Sequence, residues 1–569
     1  SSWCGSYYAK IFEGDYRALS IKRYCLMDID LKLYLLVLLL ISAIAHTQPE
    51  PKFRPFDWVL YRGAGSIISI SEGYSNVFIG TEEGGIYRFS LFGNHFLDPI
   101  TVAQGLEENH VTALHFDHQT GIIWVATPEH IQYSYNREGN WNSISLIEIG
   151  LSRFDKIQRI GSSKDFIWVQ GKSIFVKLDH SSGVVAGIFP YPDEFKIQWS
   201  SSTYENEDYL KEILMNYSIM SGWIAAADHL VDPIGRTVYA NTGLIGRHGD
   251  IWIGCRDGTL LQGKSITEIL YPISTSPIGV DVGGMTLNDG VMWIGGIDFV
   301  AGKGISWINL QSGESYTFQF DEVINMTPTS IYSIWHSDKT IWAGGEGITL
   351  VYDKADNYWR TLGQEKGIPD GKIWDIVGDS NYVWLGSSAG ISRLNQDSWE
   401  EQPIGFEYLF QNISINDIEK IENTIWIGST SGLHIFDEEH PQLRNALDLG
   451  VKEFAGNIYN VKVVKEYDGT IYACCDLGII KFDLSEMVWE LVFPASYYHS
   501  KIIHSMEINK KYLFLGTGEG LVRINKNTGF IREYYYPFIG QVNNIQLKNN
   551  IIWMGTNKGL VKFKWTREI

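Results

Sequence analysis

One motif recurs eleven times along this 569-residue chain, and it limits the possible folds more than any other feature. The unit is a strand of apolar, aromatic, apolar and Gly residues, a short polar turn usually containing Gly, and a second strand ending in an aromatic or aliphatic side chain. It reads VFIGTEEGGIYRF from Val77, IWVATPEHIQYSY from Ile123, IWVQGKSIFVKL from Ile167, IWIGCRDGTLLQG from Ile251 and MWIGGIDFVAGKGISWI from Met292. It continues as IWAGGEGITLVYD from Ile341, VWLGSSAGISRL from Val383, IWIGSTSGLHIFD from Ile425, IYACCDLGIIKFD from Ile471, LFLGTGEGLVRI from Leu513 and IWMGTNKGLVKFK from Ile552. The anchoring aromatics are Phe78, Trp124, Trp168, Trp252, Trp293, Trp342, Trp384, Trp426, Tyr472, Phe514 and Trp553, mostly 39 to 49 residues apart. A period in the low forties carrying about four short strands is the size of one β-propeller blade. Alternating apolar residues between Gly-centred turns suit four-stranded antiparallel sheets. The expected fold is all-β, a β-propeller with about 11–12 four-stranded blades, in two tandem rings because one ring usually holds about four to eight.

The strand phase says how the ring closes. The last copy stops at Ile569 without an outer strand, whereas Asp57-Trp58-Val59-Leu60-Tyr61 reads as an outer strand lacking a blade. The N-terminal strand is therefore expected to complete a blade from later in the chain, leaving no open edge. An outer strand near Ser315 to Phe320, or near Tyr358 to Leu362, could equally open the second ring, which puts the boundary between 310 and 360. The expected domains are a first propeller over 50–335 and a second over 336–569. The gap of 84 residues between Trp168 and Trp252 is twice the period, but Tyr209-Leu210, Ile213-Leu214 and Tyr217 have helical spacing. It holds either a degenerate blade using Gly222-Trp223-Ile224-Ala225 as a strand or an insertion over about 190–237.

Ahead of the repeats, Leu33 to Ala45 is a run of thirteen apolar or small residues ending Ala43-Ile44-Ala45. It is too short to span a bilayer and has the length of a signal-peptide core with an A-x-A site. Residues 27–45 are read as an export signal, with Met27 as its start and 1–26 as upstream read-through; a retained membrane anchor is the competing reading. The expected location is periplasmic or extracellular, with no stable membrane span after cleavage. Cys4, Cys25, Cys255, Cys474 and Cys475 are few, irregular and odd in number, so they form no disulfide framework, and the vicinal pair reads as buried strand residues. With 46 basic and 66 acidic side chains, a net charge of −20, the chain lacks the basic footprint of a nucleic-acid binder.

The stretches GLEENHVTALHFDHQTGIIWVATPEHIQYSY from Gly105 and GIPDGKIWDIVGDSNYVWLGSSAGISRL from Gly367 resemble the two-component regulator propeller repeat. The resemblance runs from about 57 to 569. It implies the periplasmic sensing half of a hybrid histidine kinase, with paired propellers that bind glycan fragments. No immunoglobulin-like linker, membrane helix, kinase or response regulator follows the repeats, so the chain reads as a free-standing exported propeller.

Motifs of catalysis dissolve on inspection. Gly386-Ser387-Ser388-Ala389-Gly390 fits G-x-S-x-G, but a nucleophile elbow needs a strand-to-helix turn in an α/β sheet. Here it occupies the same turn as Gly428 to Gly432, Gly516 to Gly520 and Gly555 to Gly559. The last two mimic phosphate loops, yet no helix start follows to take the anion. The repeated Trp could stack sugars, but their fixed place between Ile and Val makes them packing between blades. No metal-ligand pattern or cofactor motif is present, and lone histidines such as His336 and His434 read as structural.

Function is therefore sought in the loops at the channel mouths. The candidate ligand-binding residues are Asn109 and His110, Asp370 and Lys372, His499, and Gln541 and Asn543 ahead of inner strands, with Arg256 and Asp257 between second and third strands. They suit a glycan-like small ligand or a protein partner, and the favoured reading is a non-catalytic sensor-type binder. A propeller-fold polysaccharide lyase or hydrolase is the alternative, decided by whether two carboxylates, or a His and a Tyr, meet at one mouth. An envelope interaction scaffold is the third.

Overall fold

The computed structural model describes residues 53–568, except 153, 204–206, 227–228, 276–280, 298–303, 313 and 321–322. The expected signal, the upstream segment, Cys4, Cys25 and the turn residue Asp298 lie outside the described residues. The described chain is all-β apart from one α-helix and short 3-10 turns. Eleven sheets each carry one copy of the motif, most of them four-stranded and antiparallel, consistent with a β-propeller. The first runs Ile67–Glu72, Asn76–Thr81, Ile86–Ser90 and His95–Ile100 in order. Each sheet is named below by its anchoring aromatic.

The motif has this form because each second strand is pressed between two sheets. The anchors are buried, Trp124, Trp168, Trp252, Trp342 and Trp384 completely, so they pack the core as their flanking Ile and Val require. The Gly two residues on is where the next sheet comes closest. A Cβ at Gly386 would sit 2.7 Å from Ile415 Cγ2, and one at Gly555 would sit 2.7 Å from Val282 Cγ1. Those distances leave no room for a side chain, which explains a Gly that turn geometry alone does not demand.

The same contact gives the order of the sheets. Inner strands Val282–Asn288, Ser333–His336, Ile373–Gly378, Ile415–Ile421, Val463–Tyr467, Ile503–Ile508 and Val542–Lys548 each pack on the next, and the last packs on the first. These seven sheets form a closed cycle. Hydrogen bonds between adjacent inner strands come from side chains set at a bulge: Ser333 Oγ donates to Ile373 O (3.0 Å), Asp375 accepts from Ile418 N (2.8 Å), Asp417 accepts from Val464 N (2.6 Å), and Asn544 Nδ2 donates to Gly283 O (2.7 Å).

The N-terminal strand Trp58–Tyr61 pairs with Gly559–Phe563 and supplies the fourth strand of the Trp553 sheet. Trp58 stacks on Phe563 at 3.6 Å between ring centroids and meets Phe53, Tyr534, Tyr536 and Phe538 edge-on or tilted. The N-terminal strand therefore completes the sheet of the last motif, as its phase requires. Ser315–Gln319 and Tyr358–Leu362 do not open a ring; each pairs with the strand before it in its own sheet.

The other four sheets pack in the order Trp252, Phe78, Trp124, Trp168. The long gap is an insertion and not a further copy of the motif. Its strand Gln198–Trp199 pairs with the inner strand Arg159–Ser162, and Ser200 and Ser201 then run among the inner strands of the other sheets. A helix follows at Glu207–Asn216, where the spacing predicts one, and its Leu210, Ile213 and Leu214 pack with Ile251 and Ile253. Ile224–Ala225 is a strand in a small separate sheet with Leu230–Val231 and Thr237–Val238. No helix among the described residues is long and apolar enough to cross a membrane.

Candidate functional site

A cavity of about 700 Å³ lies where the two sets of sheets meet. One wall is the outer strand of the Phe78 sheet against the N-terminal strand and its partner; the other comprises turns 309–312 and 548–551 of the Trp293 and Trp553 sheets. The volume falls within the range of about 300–1,000 Å³ usual for small-molecule sites.

The first wall is set in place by a network of charges and rings. The Asp98 carboxylate takes both hydrogen bonds of Lys562 Nζ (2.8 and 2.7 Å) and that of the Tyr61 hydroxyl (2.5 Å). Arg88 Nε donates to Asp98 O at 2.9 Å, and its guanidinium lies over the Phe56 ring. Burial alone would raise the Asp98 pKa, but Lys562, Tyr61 and Arg88 together hold it below the ordinary value. The Tyr61 phenol is pushed well up, by burial first and by Asp98 second. Tyr61 stacks on Trp553 at 5.9 Å. This wall is therefore rigid and internally satisfied, while the facing turns present Gln311, Ser312, Asn549 and Asn550. Aromatic faces thus stand opposite amide and hydroxyl groups across the cavity.

None of the nine residues expected from the sequence lines this cavity. Asn109 accepts from Val102 N and its carbonyl from Gly85 N, which places it and His110 ahead of the Trp124 inner strand. Arg256 lies over Tyr239, and Asp257 caps Thr259, both in a turn of the Trp252 sheet. The remaining five lie on one face of the seven-sheet cycle, where each loop leading into an inner strand bonds a second-to-third-strand turn. Examples are Gly347 N to Gly371 O and Asn557 N to Gln541 O. There Asp370 is held by Gln364, Lys372 lies over Tyr332 and Trp374, and His499 approaches Glu533 at 3.9 Å. Gln541 binds Asn543, whose amide donates to Val282 O. The candidates thus divide between the two sets of sheets and form no single site.

Sequence reading missed the axis of the cycle. Asp375, Asp417, Glu419, Lys465 and Glu507 come from four inner strands and interact electrostatically. Burial, with Glu419 adding, pushes Asp375 up to about 6, and burial together with Asp375 pushes Asp417 well up; Lys465 opposes both. Glu419 and the other near carboxylates hold the Lys465 ammonium charged. The signal was present: aligning the copies on the aromatic puts Glu419, Lys465 and Glu507 directly opposite Trp426, Tyr472 and Phe514. Cys255, Cys474 and Cys475 are buried, and burial raises each thiol pKa, Cys475 to about 11.

No protein-family model matches the chain, and no curated protein matches it. Among solved structures it is similar to the extracellular domains of the hybrid two-component systems BT4673 and BT3049 from B. thetaiotaomicron. Each is 13% identical over 87% of this chain, covering 70% and 75% of those chains, with a TM-score of 0.40. The computationally designed protein Ika8 is 15% identical over 56% of this chain and 94% of its own, with a TM-score of 0.38.

Proposed function

We propose that the protein is an exported, non-catalytic binder of the sensor type, built as two propellers in tandem, and that the 700 Å³ cleft between them takes a short oligosaccharide. The cleft carries the reading: a cavity of ligand size whose aromatic wall faces the amides of Gln311, Asn549 and Asn550. The division favoured here falls at about 275–281, because Gly555 abuts Val282 and so the Trp293 sheet packs in the seven-sheet cycle. The four-sheet set with its insertion is then the first propeller. The test is thermal unfolding of the full chain against a panel of oligosaccharides and peptides, since a ligand of the folded state raises apparent stability. One glycan class is expected to raise the transition, and Ser312→Trp, which fills the cleft from an exposed turn, is expected to abolish that rise. No rise with any oligosaccharide refutes the reading and shifts weight to a protein partner at the envelope.

One observation favours the lyase or hydrolase reading: two carboxylates, Asp375 and Asp417, meet at one axis with raised pKa values. Both already accept backbone N–H groups of the next sheet, which suits a structural tie. Product analysis after prolonged incubation with a bound glycan decides it, since cleavage lost in Asp417→Asn would overturn the non-catalytic reading.

A further inference from the structure

The outer strand of the Trp168 sheet, Val185–Phe189, is an open edge. It ends the sheet order, and among the described residues none of its backbone groups bonds outside that sheet. With Val184 it reads VVAGIF, six strand-forming or small residues without a charge, between Gly183 and Pro190. Alternation leaves Val184 (63%), Ala186 and Ile188 (48%) exposed on one face, while Phe189 on the other meets Trp168 at 5.8 Å between ring centroids. An uncharged apolar segment of this kind on a sheet edge invites a further strand.

The other outer strands differ from it. Ile269–Ser274 and Val488–Pro494 are each covered by an added strand, Ser218–Ile219 and Val451–Lys452. His95–Ile100 carries Asp98 and Pro99, and Tyr358–Leu362, Gln442–Asn445 and Ile531–Tyr534 carry Arg360, Arg444 and Arg532. Gly390–Asn395 carries Arg393 and bridges Glu401, Trp58 gives its carbonyl to Gln104, and Gln319 of Ser315–Gln319 engages Arg236. Asn142–Ser145 is short and polar. Charge, Pro and cover are what keep sheet edges from pairing. The occupant of the Val184–Phe189 edge follows from its lack of charge. Across a two-fold axis a strand meets itself, so a charged edge faces its own sign, whereas this one opposes only apolar groups. Antiparallel pairing centred on Ala186 sets Val184 opposite Ile188 and keeps each exposed face on one side of the joined sheet. In a chain of net charge −20, this is a surface on which a second copy docks without bringing like charges into contact.

We propose that two copies of this chain associate through Val184–Phe189, paired antiparallel about Ala186, so that their Trp168 sheets become one continuous sheet. The inference does not rest on the cleft or on any ligand. One strand pair is a small interface, so the dimer dissociates in the micromolar range. Sedimentation velocity of the full chain at about 1 to 200 µM tests it. The expected result is a monomer–dimer equilibrium that tightens as NaCl rises from about 50 to 500 mM, because salt screens the repulsion between two acidic chains and no ion pair joins them. Ala186→Lys sets two ammonium groups against each other at the axis and is expected to weaken the dimer several-fold. Phe530→Lys, at a residue 64% exposed in another sheet, is expected to leave it unchanged. Both are exposed positions, and unchanged thermal unfolding of the variants shows that the fold is kept. Hydrogen exchange of the parent protein at the two ends of the concentration range reads the strand itself: amides within Val185–Phe189 gain protection in the dimer. A monomer throughout, a dimer that salt weakens, one that Ala186→Lys leaves intact or Phe530→Lys weakens equally, or one without added protection in this strand would overturn the proposal.

Discussion

His115 makes the four-sheet set sensitive to acid in a way that can be worked out in advance. Its imidazole is 2% exposed, with Nδ1 at 2.6 Å from Ser200 Oγ and Nε2 at 2.9 Å from Ser162 Oγ. The Ser200 hydroxyl goes on to Ser71, which accepts from Phe116 N. One neutral ring thus ties the inserted segment to three inner strands. Burial, helped by His118 and His180 and opposed by Asp117, lowers its pKa from 6.5 to about 3. The unfolded chain therefore takes up the proton first. The stabilisation is complete above pH 6.5 and is lost as the pH falls from there toward about 3. At about 1.4 kcal/mol per unit, the loss between pH 7 and pH 5 is about 2 kcal/mol. A chain of this length does not unfold in one step, so the assay is native-state hydrogen exchange in Ala113–Phe116 and Arg159–Ser162. The opening free energy of these strands should fall by about 2 kcal/mol from pH 7 to pH 5. In His115→Gln it starts about 1–2 kcal/mol lower because the ring's hydrogen bonds are lost, but it falls by about 2 kcal/mol less. His118, also lowered, is common to both proteins and cancels in the comparison. An equal pH dependence in the two proteins would refute the argument.

Trp58→Ala removes the ring that locks the N-terminal strand onto the last sheet and should cost about 3–5 kcal/mol, read as a lower denaturant midpoint for the seven-sheet cycle. Gly555→Val drives a side chain into Val282 at the closing contact and should cost at least about 1–3 kcal/mol in the same assay; a neutral result would mean the ring does not close there. Asp375 has its pKa raised above the unfolded value of 3.8 to about 6, so its charged form costs stability as pH rises through that window. Asp375→Asn keeps an oxygen for Ile418 N and should gain about 2 kcal/mol on the parent between pH 4 and pH 8, because the parent must ionise a carboxyl buried beside Glu419. Chemical denaturation at the two pH values checks it.

Most of the fold was legible in the chain because a propeller is local: each motif makes a hairpin, and each hairpin packs on the next. The anchoring tryptophans read as core, and the structure buries them. Trp58 reads as a stray outer strand, and it pairs with the final motif. The candidate binding residues were less legible. Loop position alone does not bring residues together: Asn109 and Arg256 belong to a different set of sheets from Lys372 and Asn543. Trp374, one residue past the buried Ile373, is left 38% exposed by the bulge in its strand, which no local pattern announces.

By itself, then, the repeat determined the strands, their turns, the Gly at each close approach and the need for an N-terminal strand to finish the last sheet. Those features follow from alternation and period, which act over about forty residues. Tertiary structure decided where the cycle closes and which distant groups share a site: Gly555 against Val282, Asp98 with Lys562, and Asp375 within the field of Glu419 and Lys465. Such meetings depend on how sheets accumulate around an axis, and no local pattern encodes that sum.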